Sequence, residues 1–386
     1  MKRIYLDYNA STPLDPRVSE EMISWMEAWG NPSSIHEEGR KLRFAIEQAR
    51  EKVAKLLGVK SKEIIFTSGG SESDSLALMG IAYGNNDKKR NHFIISAIEH
   101  HAVLETAAAL KTRGYEVTFV SPTREGIVDC QKIASFLSDR TLLVSVQSAN
   151  NETGVCQPIE QIAELCKQKG IFFHSDVIQS VGKVPLNFKE LSMASLSAHK
   201  FYGPKGVGIL YVKEGTPFEK MIFGGSQEKG KRGGTENILG IVGLAKALEI
   251  SLSEMEFQGK RQFQLIEKLW DSLADLPGIE RVGDPLRRVP NTLLVTFTSL
   301  RGHDLLIGLD LAGIAASSGS ACMSGTIQPS HVLMAMGYDP QRASSSLRLS
   351  IGKYTDEEEI SESAQRIKKV VLEQLNYYPK KEIVLL

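Results

Sequence analysis

Between residues 50 and 212 the chain alternates short runs of β-branched and aromatic residues with longer amphipathic stretches. The runs fall at 63–67, 92–96, 117–120, 141–146, 171–174 and 193–197, and a last one at 208–212 follows a Gly-Pro-Lys-Gly turn. Strands separated by helix-length segments predict a mostly parallel sheet with both faces covered by helices, an α/β arrangement. The turn before the last run leaves room for that strand to pair antiparallel with its neighbour.

After about residue 252 the pattern changes to two long charged helices, 254–273 and 355–375, with strands at 292–297 and 347–350 between them. A smaller α+β domain is expected there. The leader, with Pro13 and Pro16, has no pattern that fixes where it packs. The expected division is a large domain over 15–252 and a small one made of 1–14 and 253–386, and the chain has no internal repeat or low-complexity tract.

Length supports this division, because 386 residues can bury a substantial core in each of two domains. Charge narrows the partners. The 46 basic and 46 acidic residues cancel, so there is no electrostatic footprint for nucleic acid or a membrane surface, and small molecules or proteins are the expected partners. Cys130, Cys156, Cys166 and Cys322 contain no C-x-x-C pair, so neither a disulfide framework nor a zinc site is indicated. With no apolar signal core at the N-terminus and no apolar run of about 18 residues, a cytoplasmic location is expected.

The chemistry is concentrated where the predicted strands end. Ser197-Ala198-His199-Lys200 follows the run at 193–197, and Asp176 follows the run at 171–174. A lysine amine that can condense with an aldehyde, and a carboxylate that keeps a pyridine nitrogen protonated, are the two groups a pyridoxal-phosphate enzyme needs. A surface lysine and a helix N-cap are the plain alternatives for each residue taken singly. The turn Thr67-Ser68-Gly69-Gly70-Ser71-Glu72-Ser73-Asp74 opens a helix, where backbone N–H groups can hold a phosphate; Ser71 with Asp74 could instead form a simple capping box. His100, after the run at 92–96, could stack on a planar cofactor or be an ordinary loop histidine. Asn150-Asn151-Glu152-Thr153-Gly154 is placed similarly, with a plain turn as its alternative.

Three further segments stand out. The Gly-rich basic stretch 224–237, which includes Thr235, reads as an anion-cradling loop or as a flexible linker. Residues 316–325 surround Cys322 with small side chains, so this loop should be mobile and its thiol accessible, whereas a structural cysteine usually has bulky apolar neighbours. In Leu347-Arg348-Leu349-Ser350, strand alternation puts Arg348 opposite the leucines, suited either to gripping a substrate carboxylate or to a structural ion pair.

Taken together, these motifs resemble the cysteine desulfurases, class V aminotransferases within the fold-type I pyridoxal-phosphate enzymes. The similarity starts at Tyr5-Leu6-Asp7-Tyr8-Asn9-Ala10-Ser11-Thr12-Pro13 and Gly30-Asn31-Pro32-Ser33-Ser34, runs through every motif above and closes at 347–352. The Ser318-Gly319-Ser320-Ala321-Cys322 segment resembles the branch with a longer, mobile cysteine loop. The fold implied is a seven-stranded, mostly parallel sheet in the large domain beside a small α+β domain.

The resemblance also implies roles. Lys200 would be the Schiff-base lysine, Asp176 the partner of the pyridine nitrogen, Gln179 a contact to the ring hydroxyl and His100 the residue stacked on the ring. Gly70, Ser71, Ser197 and His199 would hold the phosphate, joined by Thr235 from the second subunit of a homodimer. Asn151 and Arg348 would take the carboxylate of L-cysteine. Cys322 would attack the substrate sulfur, releasing alanine and keeping a persulfide for an acceptor such as an iron–sulfur scaffold or a tRNA-thiolating enzyme. The chain departs from the family pattern in reading Gly70-Ser71 where Ala-Thr or Gly-Thr is usual, and Ser75 where Asn is common. Rival readings are a selenocysteine lyase or small-amino-acid aminotransferase of the same fold, and a non-catalytic scaffold.

Overall fold

A computed structural model describes residues 2–319 and 329–377. In chain order the strands are β1 (Ile4–Tyr5), β2 (Ile64–Thr67), β3 (His92–Ser96), β4 (Glu116–Val120), β5 (Thr141–Ser145), β6 (Phe172–Asp176), β7 (Met193–Ser197), β8 (Gly208–Val212), β9 (Ile279–Arg281), β10 (Thr292–Phe297), β11 (Ile314–Ala315) and β12 (Ser346–Ser350). Seven of them form one sheet in the order β2-β8-β7-β6-β5-β3-β4. β8 runs antiparallel to both its neighbours, while β7, β6, β5, β3 and β4 are mutually parallel. The expected α/β class, the seven-stranded sheet and the antiparallel last strand are all present.

Side chains that alternate across the sheet feed two separate cores. Phe66, Ile94, Val144 and Leu196 face the helices Glu37–Leu57 and Ile159–Gln168. Ile65, Ile95, Leu143 and Met193 face Gly70–Gly84 and His101–Thr112. Burial on both faces explains why these strands are continuous apolar runs with no polar alternation. A third core lies around the antiparallel sheet β12-β10-β9 and takes in Ile4 and Leu6 of the leader. One helix, Ile238–Leu273, joins the cores, with Leu244 and Leu248 packed in the first and Leu265 and Leu269 in the third.

The Gly-rich stretch after residue 223 is fastened down. Arg50 and Glu228 form a bidentate pair at 2.7 and 2.8 Å, each side chain 2% exposed, and the same carboxylate accepts the Phe66 N–H at 2.8 Å. Arg232 pairs with Glu72 at 2.9 Å, beside the turn that follows β2. The pairs hold Glu228 and Lys229 at φ 47° and 55°, a left-handed conformation that non-glycine residues adopt at a cost. Removing one partner strands the other's buried charge, so Arg50→Met is expected to destabilise the protein by about 3–5 kcal/mol. The check is urea unfolding. A lower midpoint at an unchanged slope is the expected result, and an unmoved midpoint would mean that the pair contributes nothing.

Candidate active site

The carboxyl ends of β2, β3, β5, β6 and β7 share one edge of the large sheet, where α/β folds present side chains to ligands. This edge, the leader and the end of the small sheet enclose a cleft of about 500 Å³. That volume accommodates a cofactor together with an amino acid. Gly70, Ser71, His100, Asn151, Asp176, Gln179, Ser197, His199, Lys200 and Arg348 all line it. Thr235 is exposed on its loop outside this cleft. Cys322 lies outside the described residues, but Ser317 and Ser318, shortly before it in the chain, line the cleft.

Lys200 sits in a single 3₁₀ turn directly after β7. Its Nζ donates to the backbone oxygens of Asn9 at 2.5 Å and Ala10 at 2.9 Å, so the leader forms one wall of the site. Burial and the nearby Arg348 guanidinium bring the ammonium down to about 8, with Asp176 and Asp7 pulling the other way. Asp176, at the end of β6, accepts the Ile178 N–H at 2.8 Å, and burial pushes its carboxyl up to about 6. The rings of His100 and His199 are both held neutral near 4, by burial first and by Lys200 second. His100 also caps the helix His101–Thr112 by accepting the Ala102 N–H, which fixes the direction of its ring.

The turn after β2 is built for an anion. Gly69 has φ 155°, and no side chain caps the helix Gly70–Gly84, which leaves its first N–H groups available. The capping box between Ser71 and Asp74 does not form. Asp74 is buried and lines the cleft instead, with no hydrogen-bond partner for either carboxylate oxygen. Burial and the neighbouring Asp176 push it well above the usual carboxylate range. A Cβ on Gly70 would stand 2.3 Å from the δ-methyl of Ile178, so of the alanine and glycine usual at this position only glycine fits without displacing that side chain. Ser75, where asparagine is common, bonds Thr106 at 3.0 Å and serves helix packing.

The ion pair read for Arg348 is present, and the group also lines the cleft. Its guanidinium pairs with Asp7 at 2.8 Å and donates to the Asn151 oxygen at 3.0 Å while it faces the cleft, and its buried Nε has no partner. The ion pair orients the group and leaves donor capacity for a carboxylate. Sequence reasoning assigned no role to Asn9, whose oxygen holds Lys200 and whose side-chain amide donates to the Asn151 oxygen at 3.2 Å. It also missed Asp7 and Asp74. Asp74 did leave one signal, a carboxylate two residues before the apolar run that starts at Leu76 in the same helix.

These residues fit pyridoxal phosphate. The buried Asp176 carboxyl, which accepts one backbone N–H, suits a protonated ring nitrogen, an uncapped helix start suits a phosphate, and a weakened lysine suits an aldehyde. The class V aminotransferase model matches residues 4–362, and the chain belongs to that family. It is 44% identical over 384 residues to the cysteine desulfurase IscS of Clostridium botulinum, covering 98% of this chain and 96% of that one. The corresponding protein of Methanosarcina thermophila is 42% identical, covering 98% of this chain and 94% of its own. A solved NifS-like protein superimposes with a TM-score of 0.90 at 40% identity, covering 96% of this chain and 99% of that one. The protein is accordingly a cysteine desulfurase that uses pyridoxal phosphate.

Proposed function

We propose that Lys200 carries the cofactor, with Asp176 at its ring nitrogen, Gln179 at its ring oxygen and His100 against its face. Gly70, Ser71, Ser197 and His199 would hold its phosphate. Bound there, the cofactor withdraws electrons from the amino acid attached to it. The observation that carries this reading is the gathering of all these side chains in one cleft.

Arg348 and Asn151 would hold the carboxylate of L-cysteine and so fix which way its sulfur points. Burial keeps Lys200 close enough to neutral to take and return a proton at ordinary pH. The Cys322 thiolate would then form a bond to the cysteine sulfur as the carbon–sulfur bond breaks. The released carbon takes a proton, so L-cysteine and the Cys322 thiol become L-alanine and a Cys322 persulfide. The other three cysteines are poor rivals. None of them lines the cleft, and burial pushes the Cys156 and Cys166 thiols up to about 11 and 12. Incubation with L-cysteine should yield alanine and a protein-bound persulfide, with sulfide released once an added thiol reduces the persulfide. Alanine without bound sulfur would sink the assignment of Cys322.

The reading extends to a homodimer in which Thr235 reaches the other subunit's phosphate. It is supported by the exposure of Thr235 outside its own cleft and by exposed apolar side chains at Met26, Trp29, Ile35 and Phe223. A large domain over 15–252, with 1–14 and 253–386 in the small one, draws support from the core that joins Ile4 and Leu6 to Leu265, Leu293, Leu347 and Ile360, while Val282, Leu294 and Val332 pack into the first core. Acceptors of the iron–sulfur scaffold or tRNA-thiolating kind, and a cytoplasmic setting, fit the balanced charge, the free cysteines and the lack of any described helix long and apolar enough to cross a membrane.

Arg348→Lys is expected to raise KM for L-cysteine by about 10- to 100-fold with a smaller change in kcat, because a point charge cannot replace a two-pronged donor. Steady-state alanine formation reads the split, and an unchanged KM would move the carboxylate site elsewhere.

A further inference from the structure

Lys183 is a half-buried lysine that takes no part in the reaction described above. Its Nζ donates to Gln179 Oε1 at 2.8 Å, Gln179 Nε2 donates to the Asn9 oxygen at 3.0 Å, and Lys200 Nζ donates to that same oxygen at 2.5 Å. The two lysines also border one small cavity of about 30 Å³, which Glu254 and Lys353 share.

This chain of bonds fixes the buried Gln179 amide without ambiguity. An ammonium only donates and a peptide oxygen only accepts, so the carboxamide oxygen must face Lys183 and its nitrogen must face Asn9. Turning the amide over would oppose donor to donor and acceptor to acceptor. Lys183 stands among the cations Lys200 and Arg348, with Cys156 as a weak counterweight; burial first, and these cations second, lower its own ammonium to about 7.

We infer that Lys183 is a positioning residue, which locks the Gln179 amide so that a nitrogen donor faces the Lys200 side of the cleft. The inference rests on the reading of Gln179 as the contact to the cofactor's ring oxygen. A donor at that oxygen favours loss of the proton from the bound cofactor's chromophore.

The test is a pH titration of visible absorbance in the cofactor-loaded protein without substrate. Lys183→Met, with a similar stem and no donor, should raise the midpoint of the spectral change by roughly half to one pH unit, and Lys183→Arg, which still donates, should restore it. Where Lys183→Met does not fold, Lys183→Leu, which also lacks a donor, makes the same measurement. Gln179→Leu should also raise the midpoint, and Lys183→Met should add little in the Gln179→Leu background. An unmoved midpoint in Lys183→Met overturns the inference. A shift that adds in full to that of Gln179→Leu overturns the positioning role, because Lys183 then acts without Gln179. No shift in Gln179→Leu overturns the reading of Gln179 itself, and the positioning role with it.

Discussion

Lys200→Ala is expected to lower alanine formation from L-cysteine by about 10³-fold or more, and to leave no cofactor attached to the chain after borohydride reduction and denaturation. The size follows from two duties placed on one nitrogen. It is the amine that bonds the cofactor, and it is the group able to carry a proton inside the cleft. Lowering its proton affinity from 10.5 to about 8 raises its neutral fraction near pH 7 by roughly a hundredfold or more. Burial does most of this, and Arg348 adds to it. Attached cofactor in the Lys200→Ala protein, or turnover within tenfold of the parent, would show that another amine does this work.

Cys322→Ser is expected to keep the yellow bound cofactor while losing persulfide, with alanine formation falling by about 10³-fold or more. A serine oxygen at neutral pH is a far weaker nucleophile toward sulfur than a thiolate. The two variants therefore separate the halves of the chemistry: one removes the cofactor's anchor, and the other removes only the sulfur acceptor. Mass spectrometry of the protein after exposure to L-cysteine reads the added sulfur, and alanine is read by amino-acid analysis. Alanine at the parental rate from Cys322→Ser would mean that a different thiol takes the sulfur. It would also undercut the argument that the buried Cys156 and Cys166 are poor substitutes.

The fold was legible because burial on both faces of a parallel sheet writes itself into the chain as uninterrupted apolar runs. The runs at 92–96, 193–197 and 208–212 match β3, β7 and β8 residue for residue. The long helix was harder to read. The charged stretch expected at 254–273 is the second half of Ile238–Leu273, whose first half is apolar because it packs in the first core against the helices Pro16–Ile23 and Glu37–Leu57. A change in partner midway along one helix looks, in sequence, like the start of a new element.

The site residues were legible to the extent that each ends a strand or opens a helix. Gly70, His100, Asn151, Asp176 and Lys200 meet at one edge because parallel strands put their carboxyl ends together. Asn9 was not, because it acts chiefly through its backbone oxygen, which every residue has. Asp74 sits where a capping box was equally good chemistry, and only the packing of the helix turned its carboxylate inward.

By itself, then, the sequence determined the α/β class, the cofactor type and the residues that end the strands, since each depends on local pattern or on residue chemistry. Tertiary structure alone decided that Asp7 would orient Arg348, that the leader would hold Lys200, and that Lys183 would hold Gln179. Those bonds join segments whose meeting depends on how the sheets and the leader close on one another. The same closure removes water from the cleft, and desolvation is the first cause of the shifts at Lys200, Asp176, His100 and Lys183.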